Sequence, residues 1–477
     1  MNGSVKTYLK LNSNHSKMHH NQSHDLNFKI AIKIKMHLKF WLRAGTVLLL
    51  LPACALADDL LSLHQQAIEH DPELGQAQIA LSIAKEGKTQ SRSQLLPSIN
   101  FSANTTYNAQ KGTVGQINGL DIMTDDRYNS YGYSLNLTQP IYRHNAWVQY
   151  RQASIQIQQT ETALRAAEQA LILRLAERYF DVLAAQDFLR FSQSEEQALE
   201  LQLKQTKQRF EVGLIAITDL HEAQAGFDIA VTQTINAENA LILSFDALQE
   251  ITDQPQTELK KLNKTIQQTK PNPANVEQWV EQALQQNLQL ESTQLQNRQL
   301  RQEISRLRGG HYPTLDIVAN RSNSVAAGGG FGSSDIDNTS VGLVLNVPVY
   351  LGGATRSQVR QAHDQLEKNR LLLKQQQRAV KRQTRQAYLG VISSISQTRA
   401  LEQAVISSKS ALQAIKTGLE VGTRTTVDLL QATRKLYRAQ YDLSRSRYDY
   451  IINTLRLKQA TGTLSPADLE QINRWLH

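Results

Sequence analysis

The chain has 477 residues, of which 40% are hydrophobic and 20% are charged, and this is the composition of an ordinary folded protein. Its formal net charge of +9 invites a nucleic-acid-binding interpretation, but the first 57 residues hold eight lysines and arginines against a single acid, Asp25. Subtracting these from the totals of 52 and 43 leaves 44 basic and 42 acidic residues, a balance that excludes the basic footprint of a nucleic-acid-binding protein.

The N-terminal segment predicts export. From Met36 the sequence reads MHLKFWLRAGTVLLLLPACALADD, with a basic start, an apolar stretch and Ala-Leu-Ala ending at Ala57. This order is typical of a secretory signal peptide that is cleaved after an A-x-A site. Residues 1–35 are polar and precede the signal. We therefore predict that residues 1–57 are an upstream extension plus a signal peptide, with translation starting at Met36.

Cys54 is the only cysteine, and it lies inside this segment. Cleavage after Ala57 would leave an exported protein without disulfides, thiol catalysis or a cysteine-ligated metal. The alternative is a lipoprotein signal in which Cys54 is acylated, although Pro52 fits that pattern poorly. Four histidines have a spacing that suits a metal on a helix, but we interpret them as part of the removed extension. They are His15, His19, His20 and His24.

The remaining chain contains the same pattern twice. EVGLIAITDL, from Glu211 to Leu220, returns as EVGTRTTVDL, from Glu420 to Leu429, at an offset of 209 positions. AERYFDVLAA and RQAYLGVISS align at the same offset, and LTQPIY and LNVPVY align at an offset of 208. These matches predict a duplicated unit that is far too long for a solenoid repeat. We assign the first structural repeat to residues 58–266 and the second to residues 267–477.

Each repeat opens with a helical segment and continues with two segments in which apolar residues alternate. We predict strands at about 97–108 and 130–142 in the first repeat, and at about 312–323 and 340–350 in the second. Residues 108–128 and Asn323 to Asn338 would connect them as long loops. Such hairpins suit an outer-membrane barrel: four strands cannot close a pore, whereas three copies would supply twelve. A soluble four-stranded sheet would show the same alternation.

Two long helical hairpins follow the strands. Residues 143–212 and 354–421 have apolar residues at helical spacing, and a helix of this length would reach roughly 100 Å. Returning helices run from Asp219 and from Asp428. The tips, residues 211–219 and 420–428, contain glycines that suit a left-handed helix C-terminus, followed by Thr and Asp residues of the kind that cap a helix start.

Five segments occur in this order along the chain: RFEVGLIAITD, GHYPTLD, VPVYLGG, VGTRTTVDLLQAT and RYDYIINTLRLKQATGTL. With them the chain resembles the TolC family of outer-membrane channel-tunnels, from about Asp59 to Ile472. The resemblance implies a mixed α/β membrane protein. In this fold class a trimeric twelve-stranded outer-membrane β-barrel, with four strands per chain, continues into a long α-helical periplasmic barrel, and the chain is internally duplicated.

The resemblance also implies a function. Such proteins are the exit ducts of tripartite efflux pumps or of type I protein secretion in Gram-negative bacteria, and they passively conduct drugs, detergents or polypeptides. The implied partners are two further chains of the same protein, a periplasmic adaptor protein, an inner-membrane RND or ABC transporter, and outer-membrane lipid. No cofactor, metal or nucleic acid is implied.

The resemblance assigns roles to residues of the two tips. Positions that constrict or latch the periplasmic entrance are occupied by Thr218, Asp219, Arg424 and Asp428. Positions that meet the adaptor are occupied by Val212, Gly213, Leu214, Val421, Gly422 and Thr423. The chain departs from the family at Leu419, where a latch tyrosine is expected, and at Gln431, where a second pore aspartate is expected.

Elementary electrostatics agrees with a gate. Three copies of Asp428 around an axis would bring like charges together and attract cations, as in a cation-selective filter. Arg424 near Thr218 of a neighbouring helix could hold the tips shut by hydrogen bonds. The ordinary interpretation of the same residues is that Asp219 and Asp428 cap helices and that Arg424 is a solvated surface charge.

Two other classes of protein are weighed against the channel. An enzyme is disfavoured because the chain has no nucleophile elbow, P-loop, Cys/His metal spacing or dinucleotide fingerprint, so we name no catalytic residue. A non-conducting periplasmic coiled-coil scaffold or adaptor protein would explain the helices and the export signal. It would leave the alternating strands without a role.

Overall fold

The computed structural model of the chain describes residues 58–117, 120–263, 266–329 and 332–477. The predictions made for residues 1–57 lie outside these described residues. They concern the upstream extension, the signal peptide, the fate of Cys54 and the spacing of the four histidines.

Helices and strand pairs follow one another twice in the same order along the described chain. Two helices lead into a pair of strands, which is followed by one very long helix and one shorter returning helix. The helices are α1 (Leu60–His70), α2 (Pro72–Ser93), α3 (His144–Glu211), α4 (Ile217–Thr252), α5 (Val276–Gln286), α6 (Leu288–Arg308), α7 (Ala354–Glu420), α8 (Thr426–Thr461) and α9 (Pro466–Asn473). The strands are β1 (Ser98–Ile117), β2 (Leu120–Tyr142), β3 (Thr314–Ala326) and β4 (Ser334–Asn346). The repeat boundary at 266 stays a prediction.

Side-chain caps fix where several helices begin. The carboxylate of Asp59 accepts a hydrogen bond from the Ser62 backbone N–H at 2.9 Å, and the Ser62 hydroxyl accepts one from the Asp59 N–H at 3.2 Å. Asp71 accepts from the Leu74 N–H at 2.8 Å at the start of α2. Asn287 ends α5 and also caps α6. Each cap satisfies a backbone N–H that has no partner within its helix.

The four strands form one antiparallel sheet in the order β1-β2-β3-β4. Its register pairs Phe101 with Leu135 and Ile317 with Leu343, which brings the apolar residues of neighbouring strands onto one face. Among the described residues, β1 and β4 each pair on one side only. The alternation read from the sequence therefore describes a single sheet with one apolar face and two unpaired edges.

The strand bounds differ from the predicted ones. Residues 108–128, expected as a loop, are mostly strand: the β1–β2 hairpin pairs all the way to Ile117 and Leu120. This part of the hairpin is rich in small and polar residues, so it lacks the apolar alternation on which the prediction rested. β4 runs over Ser334–Asn346 instead of about 340–350, and Pro348, which has no N–H to donate, lies just beyond its end.

The main hydrophobic core lies halfway along the helices. It packs α3, α7 and α8 against α1 and an equatorial belt, which we define as residues 253–263, 266–287 and 462–477 and which includes α9. Tyr179 and Tyr388, which align in the two repeats, both belong to this core. Tyr179 is fully buried and donates its hydroxyl hydrogen to the Lys260 carbonyl oxygen at 2.6 Å. The repeated AERYFDVLAA and RQAYLGVISS segments are thus both core segments.

The long helix α3 changes neighbours along its length. In its first half it contacts α2 and α6, and in its second half it contacts α4 and α8. The second long helix, α7, packs on α6 near the strands and on α8 beyond the core. Within the described ranges, no helix combines the length and the apolar character that crossing a membrane requires.

Candidate functional site

The two helical tips lie at the ends of α3 and α7 that are remote from the sheet. α3 begins directly after β2 and has 68 residues, and α7 begins a few residues after β4 and has 67. At 1.5 Å per residue, each tip is roughly 100 Å from the strands along its helix. The residues assigned to the gate and to the adaptor therefore cluster at one pole of the chain.

Both tips turn on a glycine with left-handed backbone. Gly213 has φ 75° and Gly422 has φ 78°, as their place after a long helix predicted. The Leu214 N–H donates to the Arg209 carbonyl oxygen at 2.9 Å, and the Thr423 N–H donates to the Gly418 carbonyl oxygen at 2.8 Å. The two tips therefore end their long helices in the same way.

Apolar side chains next to these glycines are exposed. The exposed fraction is 70% for Val212, 73% for Leu214 and 69% for Val421. Each belongs to the predicted adaptor-contact set, together with the two glycines and Thr423. Isolated exposed apolar residues are common, but three of them on the two turns at the same pole offer apolar surface that a partner protein can cover.

The two returning helices begin differently. α8 starts with a capping box, in which the Asp428 N–H donates to the Thr425 hydroxyl at 3.1 Å and the Thr425 N–H donates to the Asp428 carboxylate at 3.0 Å. α4 starts after Ala216, whose side chain makes no cap. Neither aspartate is the N-cap residue itself, because both helices begin two residues earlier than expected: Ala216 and Thr425 occupy those positions, and Asp428 helps to cap α8 as the third helical residue, in the capping box.

The capping box also affects the charge of Asp428. The backbone N–H of Thr425 and its hydroxyl both donate to this carboxylate, and these bonds, with a smaller contribution from Arg424, lower the pKa of Asp428. Asp428 is therefore ionised at neutral pH in the single chain. An ionised, solvent-accessible carboxylate at the end of the hairpin is the group that a cation filter needs.

Arg424 lies against the last turn of α7. A β-carbon added to Gly418 would come within 2.6 Å of the Arg424 Cγ, so the arginine stem covers this glycine. The Arg424 backbone N–H donates to the Gly418 carbonyl oxygen at 3.2 Å. Within the described part of this single chain, no hydrogen bond joins Arg424 to Thr218. The guanidinium is exposed and available to a neighbouring chain.

The two departures from the family pattern have different surroundings. Leu419 packs against an apolar cluster in the second hairpin that includes Leu412 and Leu429. Gln431 is exposed on α8. The residue at position 419 is therefore part of the hairpin core, which suits leucine, whereas Gln431 presents a neutral polar group to solvent.

Contacts between the two hairpins were not found from the sequence. Between α3 and α8, the Tyr448 hydroxyl donates to Asp187 at 2.8 Å, and Arg445 Nη1 contacts Asp181 at 2.8 Å. Arg456 pairs with Glu177 at 2.7 Å, and Arg434 lies 3.6 Å from Glu195. The partners are more than two hundred residues apart in sequence, so no local pattern reveals them.

Glu195 is the most unusual carboxylate of this set. Burial between the hairpins raises its pKa, and Arg434 offsets only part of that effect. Its side chain is 17% exposed, and it lies in a groove of about 460 Å³ that α3, α4 and α8 line together. The contact between the hairpins therefore includes a carboxyl group whose pKa is raised by burial.

At the opposite pole, the two faces of the sheet differ sharply. On one face Phe101, Val341 and Leu343 are 68%, 75% and 70% exposed. The other face carries hydroxyl and amide side chains that bond across strands; for example, the Ser102 and Ser134 hydroxyl oxygens lie 2.8 Å apart. A large exposed apolar face beside a polar one suits a sheet with lipid on one side and water on the other.

The sequence matches the family described as "Outer membrane efflux protein" over residues 63–253 and 279–463. These two ranges fall in the first and the second predicted repeat, and each contains one helical tip.

Curated relatives match along most of the chain. The outer membrane protein TolC of Vibrio cholerae is 39% identical over 425 residues, which are 88% of this chain and 94% of that protein. TolC of Escherichia coli is 35% identical over 435 residues, or 88% and 85% of the two chains. The alkaline protease secretion protein AprF of Pseudomonas aeruginosa is 30% identical over 430 residues, or 90% and 89%.

Solved structures share the fold at lower identity. The Campylobacter jejuni CmeC outer membrane channel superposes with a TM-score of 0.73 at 16% identity and covers 88% of this chain and 90% of its own. CusC superposes with a TM-score of 0.72 at 15% identity, with 85% and 92% covered. The arrangement of four strands and long helical hairpins is therefore that of known outer-membrane channels.

Proposed function

The chain belongs to the outer membrane efflux protein family. From this membership we propose that it is the exit duct of an efflux pump or of a protein secretion system. It is an outer-membrane channel protein of a family named for efflux, and one of its relatives is named for the secretion of alkaline protease. The family is one of channels rather than enzymes. We expect this chain to conduct drugs, detergents or polypeptides passively, without a catalytic residue.

The observation that carries the duct is the four-stranded sheet with an exposed apolar face and two open edges. Unpaired backbone groups at a sheet edge are costly in a membrane, so the edges of β1 and β4 require partners. Three chains joined β1 to β4 would give twelve strands and no free edge. We therefore propose a homotrimer whose apolar face meets outer-membrane lipid and whose polar face lines the duct.

The helical flanks support the same assembly. On α2, Ile79 and Ile83 are 62% and 67% exposed, and on α7, Leu371 and Leu389 are 57% and 60% exposed. α2 and α7 are the outermost helices beside the strands, because α3 and α6 lie between them. In a closed ring these two apolar flanks would pack against each other between neighbouring chains.

We propose that Asp428, Arg424, Thr218 and Asp219 form the periplasmic gate. The ionised carboxylate of Asp428 and the free guanidinium of Arg424 support this role, since both lie at the pole farthest from the membrane. Repeated around a threefold axis, Asp428 would form a ring of negative charge, which selects cations. Arg424 would reach Thr218 or Asp219 of a neighbouring hairpin and hold the tips closed.

Partner proteins are proposed for the exposed tip residues Val212, Gly213, Leu214, Val421, Gly422 and Thr423. A periplasmic adaptor protein would cover the apolar side chains of this set. Through the adaptor, an inner-membrane RND or ABC transporter would deliver substrate to the open duct.

The test uses two substitutions on neighbouring residues of β4. Leu343 lies on the apolar face, and Val344 lies on the opposite face, where it pairs with Asp316. Leu343→Arg should reduce the yield of heat-modifiable trimer in outer-membrane extracts, because an arginine facing lipid costs about 2–4 kcal/mol near the bilayer midplane. Val344→Arg should assemble and give channels in planar bilayers.

A non-conducting periplasmic scaffold predicts a different result. In that case neither arginine would meet lipid, and the wild-type protein would appear as a monomer in the soluble periplasmic extract. Equal yields of the two variants, together with no conductance steps from the wild type, would contradict the proposal that the protein is a membrane-spanning duct.

A further inference from the structure

One side of α7 carries a row of cations. Between Arg356 and Arg385, a series of exposed positions each directly follows a residue that is buried or half-buried. Because consecutive helical residues are about 100° apart, these positions share one side of the helix. Most of them are Arg or Lys, including Arg360, Lys374 and Arg378.

This side faces away from the proposed duct. At the lower end of the row, Arg385 Nη2 donates to the Glu277 carboxylate at 2.8 Å, and Glu277 lies in the first turn of α5, within the equatorial belt. Three belts placed inside a ring of twelve helices would fill the passage, so the belt must lie outside. This step depends on the proposed function. The row of cations therefore faces the periplasm and not the lumen.

The upper end of the row lies at the edge of the membrane. α7 begins at Ala354, a few residues after β4 ends at Asn346, and the intervening Val349 and Tyr350 are 93% and 83% exposed. Arg356 lies in the first turn of α7, six residues after Tyr350, and Arg360 is about 6 Å farther along the helix. Helical side chains lean toward the helix N-terminus, which here is the membrane. Both guanidinium groups can reach a headgroup layer about 5–8 Å thick.

The fold itself does not account for these two arginines. In the described parts of the chain, two cations of this row, Arg370 and Arg385, form ion pairs with carboxylates. Neither Arg356 nor Arg360 has a carboxylate within 4.0 Å there. A cation in the first turn of a helix also opposes the helix dipole, and α7 has no acid there to offset it. Two exposed arginines beside an apolar band instead complement an anionic membrane surface.

We propose that Arg356 and Arg360 bind the phosphate groups of anionic phospholipids in the membrane leaflet that faces the periplasm. The planar guanidinium presents paired N–H donors that match phosphate oxygens. Clusters of cations beside a membrane-spanning segment attract lipids of net negative charge. In the proposed trimer, six such arginines would encircle the duct at the membrane edge.

The test places a fluorescent reporter next to the site. Tyr350→Trp in a Trp147→Phe background puts one tryptophan at the membrane edge, while Trp279 and Trp475 remain in the equatorial belt. The full-length trimer is reconstituted in vesicles that contain brominated phosphatidylglycerol or brominated phosphatidylcholine. Quenching of the reporter then gives the relative association constant of the two lipids.

We expect phosphatidylglycerol to be preferred in the reporter protein. Arg356→Gln with Arg360→Gln should lower the relative association constant about threefold or more, since each cation near an anionic surface contributes a severalfold preference. Lys374→Gln with Arg378→Gln removes the same charge from the same row about 27 Å farther from the membrane, and it should leave the constant unchanged.

Three results would overturn the proposal. They are equal association constants for the two lipids in the reporter protein, an equal loss in both pairs of variants, and loss of the preference on adding inorganic phosphate at constant ionic strength. The last result would assign the arginines to free phosphate instead of lipid. A trimer that inserts without lipid preference overturns this proposal alone. A protein that does not insert overturns the proposed function with it.

Discussion

Tyr448 donates its hydroxyl hydrogen to a carboxylate oxygen of Asp187 over 2.8 Å, and this bond joins the second helical hairpin to the first. The Tyr448 ring stacks on Phe180 with ring centroids 5.5 Å apart. Burial and the neighbouring Asp187 raise the pKa of Tyr448, so its hydroxyl stays protonated and remains a donor. The contact fixes α8 against α3 within the main hydrophobic core, to which Tyr448 and Phe180 both belong.

Tyr448→Phe keeps the ring and removes the donor. We expect the free energy of unfolding to fall by about 1 kcal/mol, the usual net contribution of such a bond, seen as a lower thermal midpoint of the purified trimer. Asp187 keeps its ion pair with Arg190 at 2.7 Å, which limits the loss. The control is Tyr437→Phe, at a half-buried position of the same helix. Equal midpoints for both variants would show that the Asp187 bond adds no stability.

Glu195→Gln should change how stability depends on pH. Because the pKa of Glu195 is raised in the folded protein, the folded chain binds its proton more tightly than the unfolded chain does. Ionisation above the folded pKa therefore reduces stability, and the penalty is relieved as the pH falls through that pKa. We expect Glu195→Gln to raise the thermal midpoint at pH 7.5 and to leave it unchanged near pH 4. The exposed Glu222→Gln serves as control, and a gain at both pH values would contradict the assignment.

Asp428→Asn should abolish cation selectivity while keeping the size of the side chain. Reversal potentials in planar bilayers with a salt gradient measure the selectivity. Thr425→Ala separates the filter from the helix cap, because it removes one donor and leaves the Asp428 charge. We expect this variant to stay cation-selective at neutral pH and, since a cause of the lowered pKa is removed, to lose selectivity at a higher pH than the wild type does. Loss of selectivity in Thr425→Ala at pH 7 would assign the effect to the cap.

Arg424→Glu should loosen the closed entrance and raise single-channel conductance. Gly418→Ala tests the same latch without changing charge, since a β-carbon there would lie 2.6 Å from Arg424 Cγ and must displace the arginine. We expect both variants to conduct more than the wild type. Arg209→Glu alters an exposed arginine in the last turn of α3 and should leave conductance unchanged. If all three variants conduct alike, the latch does not depend on Arg424.

The sequence contains most of the information that places the two tips. Gly213 and Gly422 adopt left-handed backbone because each follows a long helix that must reverse direction, and the repeated EVG segment marks both. The alternation of Val341, Leu343 and Leu345 likewise predicts one apolar face, which the structure shows. Both features depend on residues that are close together in the sequence, so the sequence alone is enough to predict them.

Sequence reasoning missed two kinds of feature. Some depend on residues that are far apart in the sequence, and others lie in segments whose residue types give no signal. The strands of the β1–β2 hairpin extend beyond the predicted loop boundary at residue 108. The prediction missed this part because it has no apolar alternation. Glu195 and Arg434 look like ordinary surface charges until α3 and α8 pack together. Ala216 precedes α4 without a capping side chain, and no residue type marks that start.

Two classes of helix meet at the equatorial belt. α3 and α7 continue past it to the strands. α4 ends at Thr252 and α8 at Thr461, and the next residues, Asp253 and Gly462, have left-handed backbone with φ of 53° and 76°. The long helices lead back to the strands, whereas the shorter helices end at the belt and are joined to the long helices at the tips. Each of the shorter helices has 36 residues, at about 1.5 Å of length per residue. A tilt of a few degrees at the belt therefore moves the tip sideways by several ångströms. An opening surrounded by the tips of these shorter helices can widen while the belt and the strands stay in place.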